Sequence, residues 1–256
     1  MSDNIFLAQE LFRNYHRLDT KARCAIKVDL LKAFDTVNWT FLLDLLSILG
    51  FPPQFVGWIR ECITSPKFSI NINSELVGFF DASRGLRQGD PLPPYLFTII
   101  MDALSMLIHK KVEINILDEA PFDYHWRCKK TRITHLCFAD DLLLFCGGSL
   151  HSVGLLHQAL QEFYSLSGLK PNNGNSSLFV AGQNQGFLEA VREVFGFSVC
   201  ELPIQYLGVP LISSKLIASH CKPLVDGITS KVKCWTARFL SFAGRLQLIK
   251  SVLCSI

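Results

Sequence analysis

Along this chain the apolar residues switch repeatedly between a spacing of three or four and strict alternation, the signatures of helix and strand. Residues Asn4 to Arg17 place Ile5, Leu7, Ala8, Leu11, Phe12 and Tyr15 at helical spacing, with Ser2 or Asp3 as cap. From Arg23 to Leu30 the pattern alternates: Cys24, Ile26, Val28 and Leu30 share one face, and Ala25, Lys27 and Asp29 share the other. Asp29 therefore projects from a single face near the end of a strand. Asn38 predicts the cap of a helix through Leu49, stopped by Gly50 and Pro52, and Pro53 opens a second helix carrying Phe55, Val56, Ile59, Cys62 and Ile63. Alternation returns at Phe68, Ile70 and Ile72, with Asn73-Ser74 as a turn and Leu76 to Phe80 as the returning strand.

Arg84 to Pro94, with two glycines among its prolines, reads as a shaped loop whose donors are Arg84, Arg87 and Gln88. Tyr95 to His109 is a strongly apolar helix, and Lys110 to Lys130 an irregular excursion. Ile133 to Cys146 then holds two short apolar runs around a single acidic pair, Asp140 and Asp141, which predicts a β-hairpin. Tight hairpin turns favour Asn-Gly, Asp-Gly or Gly-Gly, because their central residues need positive φ. Here the turn carries two adjacent like charges and no glycine. A solvated turn would show the same pair; so would a site whose charge is offset by a divalent cation. Ser149 caps a helix through Leu166 ended by Gly168. A strand at Ser177 to Val180, a helix at Phe187 to Phe195 and a strand pair within Leu202 to Ile212, bent at Gly208, complete this part. Beyond a boundary near Ile212 the chain reads as helical and basic.

Hydrophobic residues make up 49% of the 256 residues and charged ones only 18%, which excludes a disordered chain. The longest apolar runs are broken well short of the roughly 18 residues a membrane span needs, and no basic, apolar leader precedes Asp3 and Asn4. Nine cysteines, odd in number and never in a Cys-x-x-Cys pair, speak against a disulfide framework or zinc knuckle and for a reducing compartment; with neither leader nor span in view, an intracellular place, nucleus or cytoplasm, is expected. A net charge of +3 does not by itself announce a nucleic-acid partner. Its distribution says more. From Ser213 onward Lys215, Lys222, Lys231, Lys233, Arg238, Arg245 and Lys250 face one acid, Asp226, as either a solvated helix face or a segment lying against phosphates.

Three carboxylates stand out: Asp29 ending a strand, and Asp140 and Asp141 at a distant hairpin. Neighbouring antiparallel strands would bring them together. Oxygen donors with no His or Cys favour Mg²⁺ or Mn²⁺ over zinc, and a pair of such ions serves in-line phosphoryl displacement.

In order and spacing, Val28 to Asp35, Arg84 to Pro94 and Phe138-Ala139-Asp140-Asp141 resemble the three core palm motifs of reverse transcriptases, in particular those of plant-like non-LTR (LINE-type) retrotransposons. Gly168 to Asn172 is similar to the next family motif, Tyr206 to Leu211 to the primer-grip region, and Trp235 to Ile256 to the segment leading into the thumb. Phe-Ala-Asp-Asp alone is a weak signal; the ordered set is a strong one.

The resemblance implies an α+β polymerase palm, an antiparallel sheet with helices packed on one face. It would occupy residues 1–212 with a remnant of fingers, and 213–256 would start a basic, helical thumb. Asp29, Asp140 and Asp141 match the metal-binding catalytic aspartates, with two Mg²⁺ or Mn²⁺ ions as cofactors. Phe34, five residues after Asp29, matches the ring that screens the sugar 2′ position of the incoming dNTP. Arg87, Gln88 and Gly89 match the loop against the nascent base pair and template. The implied partners are an RNA template and a DNA primer, with no membrane, and the implied reaction is attack of a primer 3′-hydroxyl on a dNTP α-phosphate.

Several features depart from the pattern. Against the family pattern the chain begins where fingers would have ended and stops before most of a thumb, parts that a partner could supply. Pro93 replaces a usual serine. Asn175 stands where a lysine is common, and an amide cannot act as an acid. Impaired polymerisation is therefore expected. Two other functions fit the same residues: a non-catalytic RNA-binding remnant using the basic C-terminal segment, and a metal-dependent phosphohydrolase using the acids. Neither accounts for the loop at Arg84 to Pro94.

Overall fold

The strand read at Arg23 lies at the centre of a sheet built from segments far apart in the chain. The computed structural model describes residues 2–17, 21–114, 121–182, 185–214, 217–234 and 241–253. They belong to two compact units, Arg17–Cys200 and the combined segments Met1–His16 and Glu201–Ile256.

Helix α1 (Ser2–Phe12) precedes β1 (Arg23–Asp29). A left-handed Lys32, φ 46°, then leads into the single turn α2 (Ala33–Thr36), which the apolar pattern does not predict. Helix α3 (Trp39–Ile48) starts as expected at Asn38, whose Oδ1 accepts from the backbone N–H of Thr40 at 2.9 Å and of Phe41 at 3.4 Å. α4 (Pro53–Thr64) opens on proline, whose missing N–H needs no partner there. Strands β2 (Lys67–Ile72) and β3 (Glu75–Asp81) close over Asn73 and Ser74 at φ 51° and 70°, the left-handed pair that matches hairpin twist. Helix α5 (Pro93–Ile114) overruns the expected Tyr95 to His109 at both ends, since prolines are tolerated in a first helical turn. The irregular excursion thus begins only after Ile114, and its residues 115–120 lie outside the described ones.

Next come β4 (His135–Phe138), β5 (Asp141–Gly147) and α6 (Leu150–Ser167), which ends at a left-handed Gly168. Ser149 occupies the cap position of α6, but its hydroxyl makes no capping bond. β6 (Ser177–Ala181), α7 (Gln185–Phe195) and β7 (Ser198–Val199) complete the larger unit.

Its sheet runs β4-β5-β1-β6-β7, antiparallel except for a two-residue parallel pairing of β6 with β7. This is the expected α+β architecture, with one short parallel edge added. Cys24, Ile26 and Val28 of β1 share a single buried core with Leu142, Leu144 and Cys146 of β5, joined by Ile100 and Leu104 of α5 and Leu156 and Leu160 of α6. The opposite face grades from covered to open. Arg23, Ala25 and Phe145 are buried at one end, whereas Lys27, Asp29 and Asp141 are only half-buried at the other.

In the smaller unit β8 (Ile204–Tyr206) and β9 (Val209–Leu211) form a hairpin over Leu207 and Gly208, and α8 (Ala218–Cys234) and α9 (Phe242–Leu248) lead to a π-helical turn, Ile249–Leu253. Gln9 of α1 donates through Nε2 to the Ile212 carbonyl at 2.8 Å and accepts from the Ile212 N–H at 3.2 Å, and the Asn14 N–H reaches the Ser213 carbonyl at 2.7 Å. Ile212 is thus tied to the first helix by bonds that no local pattern announces. Of the basic set, Lys215 and Arg238 lie outside the described residues; Lys222, Lys231, Lys233, Arg245 and Lys250 are exposed. Trp235, the start of the expected thumb segment, is also outside. Among the described residues no helix is long and apolar enough to cross a membrane.

The cap at Asn38 offers a direct check on how α3 is started. Asn38→Ala should lower stability by about 1 kcal/mol, while Asn38→Asp, which keeps the acceptor, should lose much less in urea unfolding.

Candidate active site

Two like-charged side chains meet where β1 ends and β5 begins. In the antiparallel register Asp29 lies opposite Asp141, and opposed residues on one face hold their Cβ atoms about 4.5 to 5.5 Å apart. Phe138 pairs with Asp141, leaving Ala139 and Asp140 as the two-residue turn. The acidic pair is therefore not the turn itself, as its sequence implied: Asp140 is in it, and Asp141 is the first residue of the strand. Ala139 supplies the positive φ, 52°, that a glycine would normally provide. Its carbonyl accepts from the Cys137 thiol at 3.5 Å. Burial and the charges of Asp140 and Asp141 push that thiol up to about 11, so it stays protonated and able to donate.

Asp141 is itself held above the ordinary carboxylate range. Burial is the largest cause, the Lys27 ammonium opposes it, and the charges of Asp140 and Asp29 add to it. Lys27 sits two residues before Asp29 on the same face of β1, so period-two alternation could have marked it as the local counter-charge. On the hairpin's other strand, the His135 ring joins Ser105 of α5 through Nε2 at 2.9 Å and Thr134 through Nδ1 at 3.0 Å. Burial and the neighbouring His109 lower His135 to about 4, leaving it neutral, with one ring nitrogen to donate and one to accept.

Asp29 is gripped from a third segment. Its Oδ2 accepts from Asn172 Nδ2 at 3.0 Å and Asn175 Nδ2 at 3.2 Å. Its N–H donates to Ser176 Oγ at 3.2 Å and its carbonyl accepts from the Asn172 N–H at 2.8 Å. The Leu31 N–H adds a bond to the Lys170 carbonyl at 2.9 Å. In the sequence Asn175 stands out only as a departure and Asn172 carries no mark of a role at the site, because neither contact is local.

The loop at Arg84 to Pro94 is stitched to the segment just after β1. The Leu86 N–H donates to the Phe34 carbonyl at 2.6 Å, the Gly85 N–H to the Val37 carbonyl at 2.8 Å, and Trp39 Nε1 to the Gly85 carbonyl at 2.6 Å. Gly85 has φ 91°, and a Cβ there would sit 2.6 Å from the Asp35 carbonyl oxygen, so both backbone angle and space demand glycine. Phe34 packs on Phe97 of α5 with ring centroids 4.8 Å apart. It lines a hollow of about 470 Å³ with Cys137, Phe138 and Ala139, and a smaller one of about 280 Å³ with Gln88 and Gly89. Phe34 thus stands between the acidic hairpin and the loop. Gln88 Nε2 donates to Asp35 Oδ1 at 3.4 Å. Arg87, 3.9 Å from Asp90, lines with Arg84 and Gln88 an open cleft of about 770 Å³ against α4 and the β2–β3 hairpin.

Hard oxygen donors that repel one another suit a divalent cation of the Mg²⁺ or Mn²⁺ type. Among the described residues, however, no three His, Cys, Asp or Glu side chains are gathered as a ready-made metal cage.

Residues 2–211 match the family described as reverse transcriptase (RNA-dependent DNA polymerase). The chain belongs to that family. It is 26% identical over 258 residues to the transposon TX1 uncharacterized 149 kDa protein of Xenopus laevis, covering 99% of this chain and 19% of that protein. It is 28% identical over 264 residues to the retrovirus-related Pol polyprotein from type-2 retrotransposable element R2DM of Drosophila melanogaster, covering 98% and 23%. The chain therefore spans about a fifth of the length of these relatives. Telomerases from Candida albicans and Candida tropicalis, each solved with a TWJ fragment of telomeric RNA, superpose with TM-score 0.53 at 14% identity. They cover 82% and 99% of this chain and 33% and 36% of theirs, a likeness of fold alone.

The raised Asp141 predicts a pH signature. A carboxyl that binds its proton more tightly folded than unfolded makes stability fall as pH rises from its unfolded value of 3.8 through its folded one. Without divalent ions, Asp141→Asn should therefore unfold at higher urea than wild type near pH 7. The gain should vanish as pH falls below about 4, and an equal gain at both ends would exclude ionisation as its source.

Proposed function

We propose that this chain forms the polymerising core of an RNA-directed DNA polymerase that adds deoxynucleotides to a primer 3′-hydroxyl. The observation that carries this reading is the register of β1 and β5, which sets Asp29 against Asp141 with Asp140 in the adjoining turn. Asp29 and Asp140 act as the principal metal ligands and Asp141 supports them. Bound there, two Mg²⁺ or Mn²⁺ ions would supply activation of the attacking hydroxyl and charge stabilisation at the leaving phosphate.

The protein's own groups orient the reactants. Phe34, backed by Phe97 and placed between hairpin and loop, presents a rigid edge to the sugar; a ribose 2′-hydroxyl would collide with it, so deoxynucleotides are preferred. Gln88, Gly89 and Arg87 contact the nascent base pair and the RNA template. Positioning of this kind is a large part of catalysis in phosphoryl-type transfer. Asn175 cannot protonate a leaving group, so incorporation is expected to be slow. Residues 1–212 are assigned as palm with a fingers remnant and 213–256 as the start of a thumb, in an intracellular protein.

Primer extension on an RNA template tests the assignment. Asp29→Asn, Asp140→Asn and Asp141→Asn should each cut incorporation by about 100-fold or more, and equal incorporation by wild type and all three variants removes the catalytic role. Salt-dependent RNA binding with no extension by any of them would favour an RNA-binding remnant, and nucleotide hydrolysis without extension a phosphohydrolase.

Phe34 carries a separate expectation. Phe34→Ala should reduce the preference for deoxynucleotides over ribonucleotides by about 10-fold or more, read as the ratio of kcat/KM values for the two.

A further inference from the structure

The contacts around Asp29 go beyond what the acidic register requires. Both hydrogen bonds to its carboxylate arrive at one oxygen, Oδ2, from the amides of Asn172 and Asn175. A carboxylate oxygen offers two lone-pair directions, so these donors fill it. The polarity of the Asn172 amide is fixed from its other end, where Oδ1 accepts from the Gly174 N–H at 3.3 Å, leaving Nδ2 to face Asp29. The Asn175 N–H and the Ser176 N–H both donate to the Asn172 carbonyl, at 3.1 and 2.9 Å, so the segment carrying the two amides is itself braced. An isolated bridge between Leu30 and Pro171 aligns that segment with the end of β1.

We infer that Asn172 and Asn175 are positioning residues that fix the rotation of the Asp29 carboxylate through Oδ2 and so set the orientation in which it would meet a divalent cation. This rests on the reading of Asp29 as a ligand. Hydrogen bonds to a ligating carboxylate fix its rotation, and losing such partners typically weakens metal affinity about 10 to 100-fold. The chemistry of the donor matters as well. An ammonium at position 175 would orient the carboxylate equally well but would also compete with the cation for its charge. A neutral amide holds the group in place and leaves the full negative charge available. Asn175 then has a use of its own at a position where a proton donor would be the obvious alternative.

Mn²⁺ binding to the full chain, titrated by the paramagnetic signal of free Mn²⁺, tests this without any turnover. Asn172→Ala and Asn175→Ala should each weaken Mn²⁺ binding about 10-fold or more, whereas Asn173→Ala, between them but without a bond to Asp29, should not. Unfolding midpoints measured without metal separate lost affinity from lost fold. Asn175→Ala is the safer variant, since its side chain is exposed and Asn172 also carries backbone bonds. Asp29→Asn separates the two levels of the argument. If it abolishes binding while a folded Asn175→Ala binds as tightly as wild type, the positioning role is wrong and the ligand assignment stands. If Asp29→Asn binds Mn²⁺ like wild type, the ligand assignment fails and the positioning role with it.

Discussion

The antiparallel register of β1 with β5 is the constraint on which the site depends. Side chains on paired strands alternate with period two, so sliding one strand by a single residue would carry every inward group outward and the reverse. In the observed register Cys24, Ile26 and Val28 share the core with Leu142, Leu144 and Cys146, and Asp29 faces Asp141. A slip would turn Lys27 and Asp29 into that core while carrying the aliphatic set out of it. Burying a Val, Leu or Ile side chain is worth roughly 1.5 to 3 kcal/mol, and an unpaired charge in an apolar interior costs more than that. The acids are thus held together by residues whose side chains lie on the other side of the sheet.

Forcing like charges together needs local compensation, and it comes from three directions. Lys27 lies on the same face as Asp29 and lowers the tendency of Asp141 to keep its proton. Amides from the segment after α6 take one oxygen of Asp29. The half-open end of the sheet leaves the carboxylates partly in water, where their repulsion is screened. The turn carries strain instead: a left-handed alanine costs of order 1 kcal/mol or more. A glycine would relieve it; instead the Cys137 thiol braces the Ala139 carbonyl within the turn, and His135 ties β4 to Ser105 of α5.

Much of this was legible in the amino-acid sequence where the signal is local. Alternation marked both faces of β1, Asn38 marked a cap, Asn73-Ser74 a hairpin turn and Gly168 a helix end, and each reflects a preference settled within a few residues. The ordered motifs added what periodicity cannot, that Asp29 and the acidic hairpin belong to one site. What stayed hidden depends on the assembled chain. The placement of Asp141 inside β5 follows from which residue Phe138 pairs with, not from the acidic pair itself. The parallel β7 is two residues long and exists only because β6 offers it an edge. The attachment of Gln9 to Ile212 and of Asn172 to Asp29 spans 203 and 143 positions, so no window of sequence contains both partners.

One further link joins specificity to chemistry. Phe34 is separated from Asp29 by four residues, and its carbonyl accepts the Leu86 N–H. The loop that follows can lie this close only because Gly85 has no Cβ to meet the Asp35 carbonyl, and Trp39 closes the arrangement by donating to Gly85. The ring proposed to screen the sugar and the loop proposed to meet the template are therefore parts of one hydrogen-bonded frame anchored at the end of β1. A displacement of the loop must move the Phe34 backbone, and Phe34 cannot shift its backbone far without pulling on Asp29. Under the proposed function, fidelity toward the sugar and alignment of the reacting phosphate cannot be tuned independently in this fold. A change at Gly85, which has no side chain of its own, would disturb both.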